Sequence, residues 1–462
     1  MSAMRRMLSV ALLSLVFAPA CGFPRPKDLG DDATSTPSDD AGIPMLPGTS
    51  AHASPSGDDA NDGIANPVRT IRRAIAVASV NANITTIVLD PGRYGADTGE
   101  AFPYTVPEGL TIAGWSSGDV LLAGSGSETA FMLGSGTLQH LVFANFAVAV
   151  SATGMAHLNG VRVQSTKIAI DALGVAALRL ENVDFTGIDI TEIGGGMLDC
   201  STGIKLRDSA SLTATGLTTR GLRTGIDAAD LSTVSVSGAN ISQDNKCEGT
   251  ALAVNTSTPV TVSQSQITGG LAGMVFHNVP SSPAQATVTN TKFLNMPSPL
   301  GGPAVMFKMI GGEISGSSNE GLSTTGGNWS FTNVSIRNNV LPGIYAQGSS
   351  QGGIISFTYL TMRGCTITGN QTGGISLLDS VIVDLGTDLD PGNNTIQGNS
   401  GIGIFFAGTI PQQINAVGNT WNANTQGADP NGRYPNTATI TGPVSPVEGA
   451  NFALSSGFSI RR

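Results

Sequence analysis

Charged residues are scarce in this sequence. They make up 12% of the 462 residues, against roughly a quarter in an ordinary soluble domain. The 23 lysines and arginines form no dense run and the net charge is −10 at pH 7, so the basic surface that nucleic-acid binding requires is not expected. Long helices are also disfavoured, because the Glu and Lys that favour them are few. The sequence therefore predicts neither a helical bundle nor a nucleic-acid partner.

Residues for metal and nucleophilic chemistry are also few. The four histidines have no metal-ligand spacing and fall at different phases of the repeat described below; they are His52, His140, His157 and His277. No paired-cysteine zinc motif, G-x-S-x-G nucleophile elbow or phosphate-binding P-loop occurs. The sequence accordingly assigns no catalytic residue and predicts no cofactor.

A short phrase recurs from about residue 140 onward: a small residue or Asn, then an apolar, a polar and an apolar residue. The last apolar residues of the phrases are Val163, Phe185, Ile241, Ile267, Phe293, Ile314, Ile336, Ile367, Ile396 and Trp421. Alternation with period two is typical of strands with one buried face. Strands every twenty-odd residues, without helices long enough for βαβ units, favour a parallel β-helix over a propeller or a sandwich. We predict an all-β chain of about a dozen coils, in which longer steps are protruding loops.

An asparagine stands three residues beyond the last apolar position of four phrases. These residues are Asn339, Asn370, Asn399 and Asn424. Residues at one phase of successive coils stack, and Asn tolerates turn conformations while supplying both donors and acceptors. We expect a ladder in which each side chain bonds the next coil. The same logic places Asn394 and Asn419 inward as a shorter stack.

Cys200 and Cys247 both lie in polar turns and are candidates for a disulfide. The repeat places them two coils apart, roughly 10 Å at the usual strand spacing, so a bond requires their loops to bulge toward each other. From the sequence, the paired and unpaired states both stay open. Cys365, in "RGCTITGN", falls on an inward position and is expected to be a small buried hydrophobe.

The N-terminus has the pattern of an export signal. Two arginines precede an apolar run from Leu8 to Phe17 that is too short to span a bilayer. The following "APACG" resembles the bacterial lipobox, although the usual Leu is missing three places before Cys21. The resemblance implies that Cys21 is acylated and that the exported chain is lipid-anchored at the outer membrane or cell surface. Cleavage after Ala20 without lipidation is the alternative.

Composition divides the rest of the chain. Residues 22–50 are rich in Pro, Asp, Ser and Thr and have no apolar period, so we predict a disordered tether behind the signal segment of residues 1–21. The β-helix is expected over residues 51–440. Residues 441–462 are then a C-terminal tail or cap.

The loop that opens the repeat region carries a distinctive phrase, S-P-x-G-x-D-x-x-D-G followed by N-P and T-I. Its positions are Ser54, Pro55, Gly57, Asp59, Asp62, Gly63, Asn66, Pro67, Thr70 and Ile71. With "DPGRY", "VPEGLTIAG" and "DLGTDLDPGNNTI", this phrase resembles an uncharacterised family of bacterial right-handed parallel β-helix proteins of the pectate-lyase-like superfold. The resemblance covers residues 51–435 and implies that fold. It raises carbohydrate chemistry as a function without establishing it.

The open end of a β-helix exposes apolar side chains and unpaired strand edges, so it must be covered. In "NPVRTIRRAIAVA" we expect Asn66 as N-cap and Pro67 as the first helical residue. The apolar stripe would comprise Val68, Ile71, Ile75 and Ala78, with Arg69, Arg72 and Arg73 in solvent. We predict a capping segment over residues 51–80 in which this helix is the lid.

Two acidic groups have some likeness to calcium sites. They are Asp58, Asp59 and Asp62 in the opening loop, and Asp384, Asp388 and Asp390 further on. The first loop lacks the third-position ligand and the twelfth-position Glu of an EF-hand, so Asx turns are favoured. The second group precedes a Pro-Gly turn, which also favours a structural role. Calcium binding at either group is the alternative.

Carboxylate pairs for polysaccharide cleavage are not evident. Three late strands present Tyr345, Ser376 and Gly403 at their first outward position, with no acid pair. The favoured function is a non-catalytic surface module that binds polysaccharide or an envelope protein. The alternative is a polysaccharide lyase or glycoside hydrolase acting on acidic glycans. It requires an Arg, Lys or His beside outward carboxylates on adjacent coils, which the sequence pattern does not show.

Overall fold

The computed structural model describes most of the repeat region. The described residues are 50–115, 120–187, 200–243, 247–277, 283–303, 305–351, 354–378, 380–407, 414–421, 424 and 452–454. The predicted signal segment, Cys21 and the tether up to residue 49 lie outside them. So does the predicted C-terminal tail, apart from residues 452–454. Within the described ranges, no helix is long and apolar enough to cross a membrane.

Almost all regular structure is strand, and the strands form three faces. Most coils contribute one strand to each face in turn, and the strands of successive coils pair in parallel. This confirms the predicted parallel β-helix. We name the faces A, B and C in the order in which a coil visits them.

Within the described residues, face A is a sheet of 14 strands. Its strands are Tyr104–Val106, Thr129–Leu133, Val148–Ala152, Ile168–Ala172, Thr202–Leu206, Thr224–Asp230, Thr250–Thr256, Ala272–Phe276, Ser298–Pro303, Leu322–Thr325, Ile344–Gln347, Gly373–Leu378, Ile402–Ala407 and Phe452–Leu454.

In the part of the chain that the structure describes, faces B and C together form a sheet of 26 strands. The long strands Ala284–Leu294 and Val305–Ser315 join them, because each passes from one face to the other. The other strands of face B are Ser50–Ala53, Thr86–Leu89, Leu110–Gly114, Gly136–Gln139, Met155–Asn159, Ala177–Glu181, Ser211–Thr215, Thr233–Ser237, Pro259–Ser263, Gly327–Thr332, Thr358–Arg363, Val381–Asp384 and Ile414–Asn415. The other strands of face C are Gly92–Gly95, Val120–Ala123, Val142–Ala144, Arg162–Gln164, Asp184–Thr186, Thr218–Arg220, Asn240–Gln243, Gln266–Gly269, Ser335–Arg337, Thr366–Thr368 and Thr395–Gln397.

The bend between faces B and C explains part of the Gly and Asn content. It carries a residue with positive φ on successive coils, such as Gly160 (φ 60°) and Asn182 (φ 52°). Gly and Asn adopt this left-handed conformation at the least cost among the standard residues. A turn of this kind lets the chain change face within two or three residues.

The predicted apolar positions lie in one inward column on face C. Val163 pairs in register with Phe185, and the column continues through Ile241, Ile267, Phe293, Ile314, Ile336, Ile367 and Ile396. The sequence pattern misses one coil, because Thr219 stands in the column between Phe185 and Ile241. Its polar side chain interrupts the apolar phrase, although it is fully buried.

The longest step between apolar positions contains a protruding element, as predicted. Between Ile336 and Ile367 the chain forms an antiparallel hairpin of Ser349–Gln351 and Ile354–Ser356. This hairpin lies between a face A strand and the face B strand Thr358–Arg363. The coil accommodates it without changing the register of its neighbours.

The predicted asparagines are buried and hydrogen-bonded in series. Asn339, Asn370 and Asn399 each donate their backbone and side-chain N–H groups to the side-chain oxygen of the next member, and Asn424 is the last acceptor. A second stack begins at Asn394, which donates to Asn419 in the same way. These bonds satisfy buried polar groups at two turns of successive coils.

The N-terminal end is covered by the helix Ile71–Val80, which packs against the strands Ser50–Ala53 and Thr86–Leu89. The predicted lid is therefore present. Its predicted start, with Asn66 as N-cap and Pro67 as first helical residue, is wrong. The helix begins four residues later because tertiary pairing overrides the local Asn-Pro signal.

The chain stays extended as far as Val68, which forms a parallel bridge with Ala53. Thr70 is the N-cap, and its hydroxyl accepts a hydrogen bond from the Arg73 N–H at 3.1 Å. Asp59 fixes this cap, since its Oδ1 accepts from the Thr70 N–H at 2.8 Å and its Oδ2 from the Thr70 hydroxyl at 2.9 Å. The acidic loop thus serves to start the helix.

The helix buries one face against the first coil. Its buried residues are Ile71, Ala74, Val77 and Ala78. Ile75, which the sequence places in this stripe, is only partly buried. At the helix start the buried Glu100 accepts the Ile71 N–H at 2.9 Å, and its other oxygen accepts the Tyr104 hydroxyl. Burial raises the pKa of Glu100.

Cys200 and Cys247 form a disulfide with a Cα–Cα distance of 6.0 Å. Each residue precedes a face A strand, and the strand Thr224–Asp230 lies between those two strands. The cysteines are thus two coils apart, as the repeat predicts, and their loops approach each other closely enough to bond. Cys365 is buried and free, as expected.

Candidate functional site

Face B carries outward hydroxyl side chains on four successive coils. They are Thr213 and Thr215, Ser235 and Ser237, Thr261 and Ser263, and Thr287 and Thr289. Strand alternation sets their direction, because intervening residues such as Ala214 and Val236 are buried in the core. Register pairing aligns the hydroxyls from coil to coil. We name these eight residues the hydroxyl ladder.

The ladder hydroxyls are available to an external partner. Only the Thr261 hydroxyl is hydrogen-bonded to another group of the described chain, donating to the Val234 carbonyl at 3.3 Å. Sequence reasoning missed this ladder, because Ser and Thr are ordinary on exposed strand positions. The signal that reveals it is a hydroxyl–apolar–hydroxyl phrase recurring at steps of 22, 26 and 26 residues.

A groove of about 720 Å³ adjoins the N-terminal end of the ladder, and we name it lobe 1. The first ladder coil, with Thr213 and Thr215, is part of its lining. Its charged centre consists of His157, Arg179 and Glu181. His157 and Arg179 are register partners on neighbouring coils, so their side chains leave the sheet side by side.

Glu181 holds the charged centre of lobe 1 together. Its Oε1 accepts hydrogen bonds from Arg179 Nε at 2.8 Å and from the Arg179 terminal nitrogen at 2.5 Å. Its Oε2 lies 3.3 Å from His157 Nε2. The Arg179 guanidinium, with a smaller contribution from His157, holds the pKa of Glu181 below its usual range. Glu181 is therefore ionised at neutral pH and poorly suited to act as a general acid.

This cluster corrects the expectation that no Arg, Lys or His lies beside an outward carboxylate on adjacent coils. That expectation rested on strands that the structure places on face A, those of Tyr345, Ser376 and Gly403. The cluster lies on face B instead. Its signal in the sequence is the 22-residue step from His157 to Arg179, which equals the step from Val163 to Phe185.

A second carboxylate lines lobe 1 but lies far from Glu181. Glu108 precedes the strand Leu110–Gly114, three coils before the strand of Glu181. Three coil spacings are about 14 Å, whereas the two carboxylates of glycosidases are about 5–9.5 Å apart. The geometry of lobe 1 therefore favours binding over two-carboxylate hydrolysis.

A groove of about 690 Å³ adjoins the C-terminal end of the ladder, and we name it lobe 2. Tyr359 and Met306 line it, exposing 44% and 46% of their surface. Lys308, Asn328 and Gln285 supply polar groups beside them. An aromatic ring next to amide groups offers an apolar surface with a polar rim. Lobe 2 thus has a different chemical character from lobe 1.

The later acidic group forms ion pairs. Arg363 donates to Asp384 at 2.8 Å and to Asp390 at 2.7 Å, so a guanidinium lies between these two carboxylates. Asp388 is exposed in the same loop. Among the residues that the structure describes, no group of three or more His, Cys, Asp or Glu side chains is placed to hold a metal ion. The Arg363 guanidinium thus pairs with Asp384 and Asp390 at once.

The carboxylates of the opening loop accept hydrogen bonds from backbone N–H groups. Asp58 accepts the Ala60 N–H at 3.0 Å. Asp62 accepts the N–H groups of residues 64, 65 and 66 at 2.9–3.1 Å. The contacts of Asp58 and Asp62 are the Asx-type turns that the sequence favours, whereas Asp59 bonds the more distant helix cap.

Comparison with known proteins agrees with the fold. The family model described as "Protein of unknown function (DUF1565)" matches residues 55–427. No curated protein matches the chain. The match covers most of the coils and both lobes of face B.

Solved structures with a similar fold include carbohydrate-active enzymes. The catalytic unit of a GH87 α-1,3-glucanase from Streptomyces thermodiastaticus strain HF3-3 has 14% identity and a TM-score of 0.51, covering 82% of this chain and 70% of that one. A GH87 α-1,3-glucanase catalytic domain in complex with tetrasaccharides has 11% identity and a TM-score of 0.49, covering 76% and 67%. A periplasmic alginate epimerase has 10% identity and a TM-score of 0.38, covering 74% and 82%. At these identities the likeness shows the fold alone.

Proposed function

Because the chain belongs to the DUF1565 family, whose function is unknown, we propose its function from the geometry of face B: the β-helix binds an extended polysaccharide along the hydroxyl ladder. The hydroxyl ladder, with a groove at each end, is the observation that carries this proposal. Polysaccharides present hydroxyls at regular intervals along a chain. A regular array of protein hydroxyls, of which only Thr261 has a hydrogen-bond partner among the described residues, matches that periodicity and needs no catalytic group.

The fold is compatible with this proposal. The α-1,3-glucanase whose fold this chain shares acts, by its name, on a polysaccharide. A β-helix without a close carboxylate pair in its groove would keep the binding surface and lack the hydrolytic step. We therefore propose a non-catalytic binding module.

Affinity electrophoresis in gels containing neutral or acidic polysaccharides tests the proposal. We expect the chain to be retarded by at least one polysaccharide. The double variant Thr213→Val and Thr287→Val should weaken that retardation about tenfold, because each lost hydroxyl removes roughly 0.5–1.5 kcal/mol of hydrogen bonding. Thr366→Val, an exposed strand threonine on face C, is the matched control. Unchanged migration in every polysaccharide would overturn the proposal.

The second candidate is a polysaccharide lyase or hydrolase acting on acidic glycans. The cluster of His157, Arg179 and Glu181 in lobe 1 favours it, because a carboxylate that faces a histidine ring nitrogen orients the ring for proton transfer. Incubation with polygalacturonate and alginate, with and without calcium, tests it. Reducing or unsaturated ends that disappear in His157→Ala would establish an enzyme. Release that is equal in His157→Ala would point to a contaminant.

We also propose that the module is exported and anchored through an acylated Cys21. This proposal rests on the N-terminal sequence, which lies outside the described residues. An anchored binding module would hold polysaccharide, or an envelope protein that carries it, at the cell surface.

A further inference from the structure

We infer that the bound polymer is a neutral glycan that runs parallel to the axis of the β-helix, with about one sugar unit per coil, and contacts lobe 1 and lobe 2 at its two ends. This inference rests on the proposed function and adds the class, orientation and length of the ligand. Three features of face B support it: the spacing of the ladder, the charge of the groove and the contrast between the lobes.

The spacing of the ladder sets the orientation. Successive ladder hydroxyls, such as those of Thr213, Ser235 and Thr261, stand one coil apart. The coil spacing is about 4.8 Å, close to the length of one pyranose unit in an extended chain. A glycan parallel to the axis can therefore repeat the same hydrogen bonds on each coil. A glycan lying across face B would meet only the two ladder hydroxyls of a single strand.

The charge of the groove favours a neutral ligand. Among the described Lys, Arg, Asp and Glu residues that line the lobes, lobe 1 has Arg179, Glu108 and Glu181, and lobe 2 has Lys308. These four side chains together carry no net charge. Arg179 is already paired with Glu181, so an acidic sugar would have to displace a carboxylate from it. The net charge of −10 adds long-range repulsion against a polyanion.

The two lobes suit different contacts at the ends of one chain. In lobe 1 the Arg179–Glu181 pair offers a donor and an acceptor to neighbouring sugar hydroxyls. In lobe 2 the exposed ring of Tyr359 offers a flat apolar surface on which the C–H face of a sugar can pack. The strand of Tyr359 lies seven coil steps beyond the strand of Arg179. Seven steps span about 34 Å, so an eight-unit glycan reaches both.

Titration calorimetry of the full chain with neutral gluco-oligosaccharides of four and eight units, α-1,3-linked and β-1,4-linked, tests the inference. We expect one neutral octamer to bind at least tenfold more tightly than its tetramer, because only the octamer is long enough to contact Arg179 and Tyr359 at the same time. Its affinity should change less than twofold between low and high salt. An octamer of galacturonic acid should bind more weakly.

Variants separate the lobes from the ladder. Arg179→Ala and Tyr359→Ala should each reduce the ratio of octamer affinity to tetramer affinity at least threefold. Thr366→Val should change neither the octamer affinity nor the tetramer affinity. Equal affinity of tetramer and octamer, or tighter binding of the acidic octamer, would overturn the inference while leaving polysaccharide binding intact. Failure of every oligosaccharide to bind, together with no retardation by any polysaccharide, would overturn the proposed function itself.

Discussion

The side-chain oxygen of Asn370 accepts two hydrogen bonds from Asn339, from its backbone N–H at 3.1 Å and from its side-chain amide at 2.8 Å. The Asn370 amide group also donates to Asn399 at 2.9 Å and to the Ile336 carbonyl at 3.4 Å. One side chain thus joins three successive coils at a fully buried turn. Its loss would leave donors and acceptors unpaired on both neighbours.

Asn370→Ala should therefore lower the free energy of unfolding by about 1–3 kcal/mol. Asn424→Ala should cost less, because Asn424 is the last described member of the asparagine ladder and bonds back to the preceding coil, accepting from Asn399 and donating to the Ile396 carbonyl. Urea denaturation of the two variants and the parent measures the difference. Equal, near-zero effects at both positions would show that the asparagine ladder does not contribute to stability.

Thr219→Val should stabilise the chain by about 1 kcal/mol. Thr219 lies in the inward column between Phe185 and Ile241, and within the described residues its hydroxyl has no hydrogen-bond partner. Valine has the same shape and removes the unsatisfied group. Thr218→Val, one residue earlier and outward, is the control and should change stability little. A lower melting temperature for Thr219→Val would mean that the hydroxyl has a partner in solution.

Ile71→Asp should detach the capping helix. Ile71 is fully buried against the first coil, so a charge there costs roughly 3 kcal/mol or more, or displaces the helix. The exposed end coil should then promote aggregation. Light scattering and thermal unfolding measure the change, and Val80→Asp, exposed on the same helix, should behave like the parent. A monomeric Ile71→Asp variant with parental stability would contradict the capping role.

Glu100 should make the capping region more stable at acidic pH. Because burial raises its pKa above the ordinary value of 4.5, the ionised form opposes folding above the folded-state pKa. That opposition is lost as the pH falls through the folded-state pKa to below 4.5. The parent should therefore lose stability relative to Glu100→Gln as the pH rises from acidic to neutral. Denaturation at several pH values measures this. A stability difference between the two proteins that does not change with pH would contradict it.

Cys21→Ser should release the protein from membranes if Cys21 is the lipid attachment site. Detergent phase partitioning of cell fractions measures the change. The parent should enter the detergent phase and the variant the aqueous phase. Identical partitioning of both would favour cleavage after Ala20 without lipidation.

Much of the fold was predictable because the inward positions repeat. Val163 and Phe185 mark neighbouring coils through apolar residues at one phase, and the structure pairs them in register. The coil of Thr219 was missed because a polar residue occupies its inward position. The helix start was misplaced because the bridge between Val68 and Ala53 is a tertiary contact with no local signal.

The candidate site was harder to predict because it is made of residues on different coils. His157 and Glu181 are 24 residues apart, and their contact depends on the length of one coil and on the direction of each side chain. A one-residue error in register would turn Arg179 into the core. The hydroxyl ladder depends on register in the same way, because Thr213 and Ser235 form part of an array only when they are neighbours on successive coils. The residue types were enough to predict the coils. The site depends in addition on the length of each coil, which decides which side chains become neighbours.

The disulfide between Cys200 and Cys247 also limits how the solenoid can come apart. Repeat structures open from their ends, one unit after another. A covalent bond that spans two coil steps prevents the strand Thr224–Asp230 from fraying independently of its neighbours. Amide hydrogens of the strands Thr202–Leu206, Thr224–Asp230 and Thr250–Thr256 should therefore exchange with solvent as a single slow block. Opening that proceeds inward from the C-terminal end should slow when it reaches this block.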